Sequence, residues 1–249
     1  MNQPYFFVTD IRVQGNESLS EVMIVDRVED YLNGSWLGII PRRNIFFYQA
    51  SNLQAMLEND IPKIYHSTIR NDGTDLVITI EERKAHSVWC VDTEYERIFD
   101  EECYMADQRG YWYDRAPYFS DHLIHKVYIA PEVDSIRVRE QSLPEETFGE
   151  LFQFITAIEH SYAMGIERIH LLRKGDVIIN INQYNNTRFA TFPEILINLS
   201  NDIDTSYRNL GIVLDQEEFI NDLRNRPEDF EAIDLRFDDR VFYRFTPQG

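Results

Sequence analysis

The chain has 249 residues, 43% hydrophobic and 13% aromatic, which is enough apolar material for a sizeable core and enough length for two domains. A formal net charge of −19 argues against phosphate-backbone binding, which needs clustered lysine and arginine, and against adhesion to anionic membranes. No apolar run approaches the ~20 residues of a membrane helix, and the aromatic, acidic start from Met1 to Asp10 does not read as a signal peptide.

Phe6 to Val13 reads as a strand with Val8, Ile11 and Val13 inward, ended by the turn residues Gly15-Asn16. Ser18 or Ser20 suits the cap of a helix whose apolar stripe is Ile24, Val25, Val28 and Leu32, stopped at Asn33-Gly34. A second helix is expected from Tyr48 to Asn59, carrying Leu53, Met56 and Leu57. Pro62 opens a strand through Ile69, Asn71-Asp72-Gly73 turns it, and Leu76 to Glu82 returns with Leu76, Ile78 and Ile80 on one face. This order of strand, helix, helix, strand, strand predicts two helices on one face of a three-stranded sheet.

Composition shifts after Arg83. Val88 to Val91 is a short strand, and Tyr104-Met105-Ala106 and Tyr111-Trp112-Tyr113 flank a hairpin loop, Asp107-Gln108-Arg109-Gly110. Leu123 to Ala130 is a further strand. Ser142, Pro144 and Glu145 form a helix start with a reciprocal cap, ahead of the apolar face Phe148, Leu151, Phe152, Ile155 and Ile158, closed by Gly165. Successive strands follow at Ile166–Leu172, Val177–Ile181, Arg188–Phe192 and Ile195–Leu199, turned at Lys174-Gly175-Asp176 and at Asn185-Asn186. Ile203 to Arg224 is helical, broken near Gly211, with Asp215 capping a second piece.

The end of the chain reads as a hairpin. Alternation sets Ile233, Leu235 and Phe237 on one side of a strand, Asp238-Asp239 suits the turn, and Arg240 to Phe245 is rich in aromatic and β-branched residues. At a sheet edge, the free backbone groups of such a last strand can accept a strand from another chain. Asp234 and Arg236 fall on the face opposite Ile233, as a structural ion pair.

Catalytic chemistry finds little support. The adjacent acids Glu81-Glu82, Asp100-Glu101-Glu102 and Asp238-Asp239 read as solvated loops, whereas acid/base work needs two carboxyls in distinct environments across a cleft. His122 and His125 point to opposite faces of a strand, and His66, His86, His160 and His170 stand apart. Ser120 and Ser161 lack a nucleophile elbow, and no phosphate-binding glycine loop is present. Cys90 and Cys103 flank an acidic stretch, Asp92 to Glu102. They read either as a disulfide across a hairpin or as two buried free thiols.

Three segments, in this order, resemble the FtsQ/DivIB family of bacterial cell-division proteins. Phe7-Val8, Ile11-Arg12-Val13-Gln14-Gly15-Asn16, Leu19-Ser20, Ile61-Pro62 and the run Leu76 to Arg83 look like a POTRA domain. Cys103-Tyr104-Met105-Ala106-Asp107, Gly110 and Ala116-Pro117 resemble the early hairpin of that family's β domain, and Ile233 to Phe237 with Val241-Phe242-Tyr243 resembles its closing motif. The resemblance implies an α+β fold, with a β-α-α-β-β POTRA domain over residues 5–84 and a β domain of mixed sheet and flanking helices over residues 85–249. It implies a non-catalytic divisome scaffold without metal or cofactor, which binds FtsB- and FtsL-type proteins and helps control septal peptidoglycan synthesis. Other division proteins would meet it through the POTRA domain.

The family carries one membrane helix and a short cytoplasmic tail before the POTRA domain. Neither is in this sequence, so the chain is expected to be the extracytoplasmic part of a membrane-anchored protein. In that compartment the Cys90–Cys103 disulfide gains weight. Phe237 matches a partner-contacting aromatic position, and Tyr243 and Phe245 fall in the strand that an incoming strand extends. Val241, Phe242 and Arg244 complete the expected surface, although alternation requires some of these side chains to be core. Phe245→Asp is accordingly expected to weaken partner binding with the thermal transition nearly unchanged. A second reading is a POTRA-bearing chaperone for outer-membrane protein insertion or secretion, which shares only the N-terminal segment.

Overall fold

The computed structural model describes residues 7–36, 38–46, 48–91, 103–117, 124–129, 141, 143–237 and 240–247. The described residues form an α+β protein with five α-helices and a large mixed sheet, and their contacts divide into two units, Met1–Lys84 and Ala85–Gly249.

In the first unit, β1 (Asp10–Gln14) leads to α1 (Glu21–Leu32). A two-residue hairpin, β2 (Ser35–Trp36) and β3 (Ile40–Pro41), precedes α2 (Ala50–Asp60), and β4 (Ile64–Asp72) and β5 (Asp75–Glu82) follow. The sheet order is β1-β5-β4, with β1 parallel and β4 antiparallel to β5. Helical spacing buries Ile24, Val28 and Leu32 of α1, and Leu53 and Leu57 of α2 join them over Ile64, Leu76, Ile78 and Ile80 of the sheet.

Boundaries differ from expectation for local reasons. The first strand starts at Asp10, although Val8 is buried and its N–H donates to the Arg43 carbonyl at 2.9 Å. The second helix starts at Ala50 because Gln49 takes a left-handed φ of 52°. Strand β4 runs on to Asp72, so the turn falls at Gly73, whose φ of 67° suits glycine. Ser20 occupies the cap position of α1 without a side-chain cap bond, and Ser18 instead donates its hydroxyl to Glu82.

That carboxylate ties the unit together. Glu82 also accepts from the backbone N–H of Glu17, Ser18 and Leu19 at 2.7–2.9 Å. Burial pushes its pKa up, but these bonds outweigh burial and bring it down to about 2.

The second unit begins with β6 (Ser87–Val91), β7 (Cys103–Ala106), β8 (Trp112–Arg115) and β9 (His125–Ile129). Then come α3 (Glu145–Tyr162), β10 (Gly165–Leu171), β11 (Asp176–Tyr184), β12 (Thr187–Arg188) and β13 (Glu194–Asn198). Helices α4 (Ile203–Leu214) and α5 (Glu217–Asn225) lead to the closing strands β14 (Phe230–Phe237) and β15 (Arg240–Phe245). The sheet order is β15-β14-β13-β11-β10-β9-β6-β7-β8, with β12 paired to β11. The main core joins one face of this sheet to α3, α4 and α5. It includes Trp89, Val127, Ile169, Ile179, Ile195 and Ile233 from the strands, and Phe148, Ile155, Leu210 and Phe219 from the helices.

Four expectations are corrected here. Pro144 is the cap residue of α3 and makes no side-chain cap bond; Ser142 lies outside the described residues. The helix ends at Ala163, in a left-handed φ of 48°, and Gly165 already belongs to β10. The strand expected over Arg188–Phe192 is only Thr187–Arg188, because the backbone curls through Phe192 at φ 48°. The helical break falls at Asp215-Gln216, with Gly211 inside α4 and Gln216 as the cap of α5. The Asn185-Asn186 turn is as read, both residues being left-handed (φ 44° and 69°) in the two-residue link between β11 and β12. Among the described residues no helix is long and apolar enough to cross a membrane.

Candidate functional site at the C-terminal sheet edge

Strand β15 is the outermost strand of the large sheet, paired antiparallel to β14 on one side and without a second neighbour among the described residues. The backbone groups along its far side are therefore free of sheet pairing, the arrangement that strand addition uses. The expected turn residues, Asp238 and Asp239, lie outside the described residues.

The strand divides its side chains between two faces. Val241, Tyr243 and Phe245 are half-buried and pack on the helical side. Phe245 lies 5.2 Å from Phe230 and 5.9 Å from Phe219 between ring centroids, and the Arg226 guanidinium sits 4.9 Å over its ring. Phe245→Asp would put a charge into this aromatic cluster, so the expectation of an unchanged thermal transition is withdrawn.

The other face carries Phe242, 53% exposed, and Arg244, whose side chain is 69% exposed. Phe237 joins them, as the resemblance implies but against the alternation that set it beside Ile233 and Leu235. Ile233 and Leu235 do point into the core, but the register of β14 shifts between Asp234 and Phe237. This brings Phe237 opposite Arg240, 48% exposed, with its ring edge-on to Phe242 at 5.6 Å. The expected contact residues thus split into Phe237, Phe242 and Arg244 outside and Val241, Tyr243 and Phe245 inside.

Charges on the outer face are mostly paired. Arg236 donates to both Asp234 oxygens, at 2.9 and 2.6 Å, and reaches Asp176 at 3.4 Å. Burial raises the Asp234 pKa, but the Arg236 hydrogen bonds prevail and hold it below the usual range. Arg244 pairs with Glu231, whose pKa is lowered first by the Thr246 hydroxyl and then by Arg244. The Glu194 side chain makes no hydrogen bond or ion pair with a described residue. It lines a hollow of about 310 Å³ with Leu196, Ala232, Asp234, Phe242 and Arg244.

Two carboxylates, Glu194 and Asp234, therefore do border one hollow. Arg236 holds the Asp234 carboxyl below the usual carboxylate range, so that member of the pair is already engaged as an anion. No group of three or more metal-binding side chains occurs among the described residues. His66 and His125 each contact a glutamate, Glu58 and Glu159, both at 3.3 Å. His86 packs edge-on to Phe152, and His170 stacks on Tyr128. Ser120, His122 and the acidic stretch 92–102 lie outside the described residues.

At the other end of the sheet, Cys90 and Cys103 are direct partners across β6 and β7 and form a disulfide, S–S 2.06 Å. Glu194 and Ala232 were not legible as site residues, although β13's alternation does put Glu194 on the face away from Ile195 and Ile197. No protein-family model and no curated protein matches the chain.

Proposed function

We propose that the chain is a non-catalytic scaffold of the FtsQ/DivIB type, in which a partner of the FtsB or FtsL kind adds a strand to β15. One observation carries the reading: the last strand borders the sheet, and its exposed Phe242 lies on one face beside the exposed Phe237 at the end of β14. The first unit supports it too. Apart from the two-residue hairpin between its helices, it has the β-α-α-β-β order expected for a POTRA domain. The Cys90–Cys103 disulfide supports an extracytoplasmic, oxidising location. A non-catalytic role is favoured because Asp234, one of the two carboxylates at the sheet-face hollow, is engaged in an ion pair with Arg236.

The test is a titration of the chain with the extracytoplasmic regions of its cognate FtsB- and FtsL-type proteins, followed by amide hydrogen exchange. Alternate amides of Arg240–Phe245 should gain protection, and Phe242→Asp should weaken binding by at least about tenfold, as loss of an aromatic anchor does. Binding that leaves those amides exchanging at their free rate would defeat the proposal.

A further inference from the structure

The outer face of β13, β14 and β15 carries a hollow beside the edge strand. Cross-strand register sets Glu194 of β13 beside Ala232 of β14, and Ala232 beside Arg244 of β15. The next row is Leu196, Asp234 and Phe242. Ala232 has only a methyl group between two long side chains, so the face sinks there. The result is the hollow of about 310 Å³, with a neighbour of about 280 Å³ that shares Glu194 and Arg244 and adds Glu228.

The charges around this trough are unequal in use. Arg236 is taken up by Asp234 and Asp176, and Arg244 by Glu231. Glu194 and Glu228 have no described partner. What the trough offers a visitor is thus negative charge, on a chain whose net charge is −19, beside an aromatic ring and an alanine floor. A lysine or arginine fits this chemistry: its aliphatic stem lies on Ala232, its cation faces Phe242, and its head reaches Glu194. An anion would meet arginines that are already neutralised, and an anionic membrane would meet repulsion.

We propose that the partner whose strand extends β15 also carries a cationic segment that crosses the outer face of β13, β14 and β15. This rests on the strand-addition reading above. The segment is distinct from the added strand. That strand would lie three strand spacings from β13, about 14 Å away, beyond the reach of a single side chain. The partner therefore combines a strand-forming stretch with an adjoining run of lysine or arginine.

The test uses blocked synthetic peptides of about fifteen residues, each a Val/Thr-alternating stretch joined by a Gly-Ser link to a run of lysine, of glutamine or of glutamate. Each is titrated into the whole chain, with amide exchange followed along β15. All three should protect β15. The lysine peptide should bind about tenfold more tightly than the glutamine peptide at low salt, and the glutamate peptide more weakly than either. Glu194→Gln, which is isosteric, should abolish most of the lysine advantage, and Ala232→Leu should do so by filling the trough. Equal affinities for lysine and glutamine peptides, with β15 protected, overturn this inference and leave strand addition standing. No protection of β15 by any peptide overturns both. A concentration-dependent dimer of the chain alone that covers β15 and the trough also overturns the inference, because the occupant is then a second copy.

Discussion

Two glutamates show how differently the two units use charge. Glu82, at the end of β5, is 8% exposed and accepts three backbone N–H groups and a hydroxyl. Glu194, at the start of β13, is half-buried beside a hollow and has no described partner. The first is consumed by folding, since it satisfies donors that the loop before α1 would otherwise leave unpaired. The second belongs to the sheet through its backbone, and its side chain has no such part among the described residues. The same division recurs in the aromatic residues of β15, where Phe245 is packed and Phe242 is not. Residues used by the fold should be read out as stability, and spare ones as binding.

The largest expected effect breaks the Glu82 side of the comparison. Glu82→Ala should cost the first unit about 4 kcal/mol, because several charge-assisted bonds and their backbone donors lose their acceptor together. Acid gives a second readout. The folded carboxyl, at about 2, lies below its ordinary 4.5. Its stabilisation is thus fully present above about pH 4.5 and is lost as the pH falls towards about 2. Amide exchange of α1 and β5 against pH should show that fall, and Glu82→Gln should flatten it. An unaltered acid profile in Glu82→Gln would mean that another group controls the unit.

A smaller effect separates the stapled end of the large sheet from the spare face. Cys90 and Cys103 are 13 positions apart in sequence, and closing a loop of that size stabilises by about 3 kcal/mol. Reduction should lower the melting temperature of the second unit accordingly. Strands β6 and β7 are separated from β15 by β14, β13, β11, β10 and β9, so affinity at the spare face should be unchanged while the unit stays folded. A parallel loss of affinity in reduced, folded protein would join the two ends.

The smallest effect sharpens the comparison within one strand. Phe245→Asp should destabilise by about 2 kcal/mol, through lost aromatic packing and a partly buried charge. Phe242→Asp should stay within about 0.5 kcal/mol of the unaltered chain, as exposed substitutions do, and act on partner binding alone. Similar melting curves for the two variants would erase the distinction between the faces of β15.

Much of the architecture was legible because it rests on local periodicity. The stripes of α1 and α3 appear in the sequence at helical spacing, and every residue named for the α3 face is buried. The strands were found where apolar and polar residues alternate, as in β5 and β13. Errors gathered where a single backbone angle decides. Gln49, Ala163 and Phe192 all adopt positive φ without being glycine, and nothing in their side chains announces it. Alternation placed Phe237 with Ile233 and Leu235 and fails there at a register shift, which depends on the partner strand. The trough was invisible for a stronger reason. Glu194, Ala232 and Arg244 become neighbours only through the pairing of three strands, two of them joined by a long helical connection.

That connection has a kinetic consequence. Strands β14 and β15 form a local hairpin, but β14 joins the sheet by parallel pairing to β13, at Glu194, Ile195 and Leu196, after the chain has passed through α4 and α5. Parallel crossovers of this length close late, because ordering the intervening chain precedes the gain from pairing. A refolding population should accordingly pass through a stage with a shorter sheet, bordered by β13, before the hairpin docks.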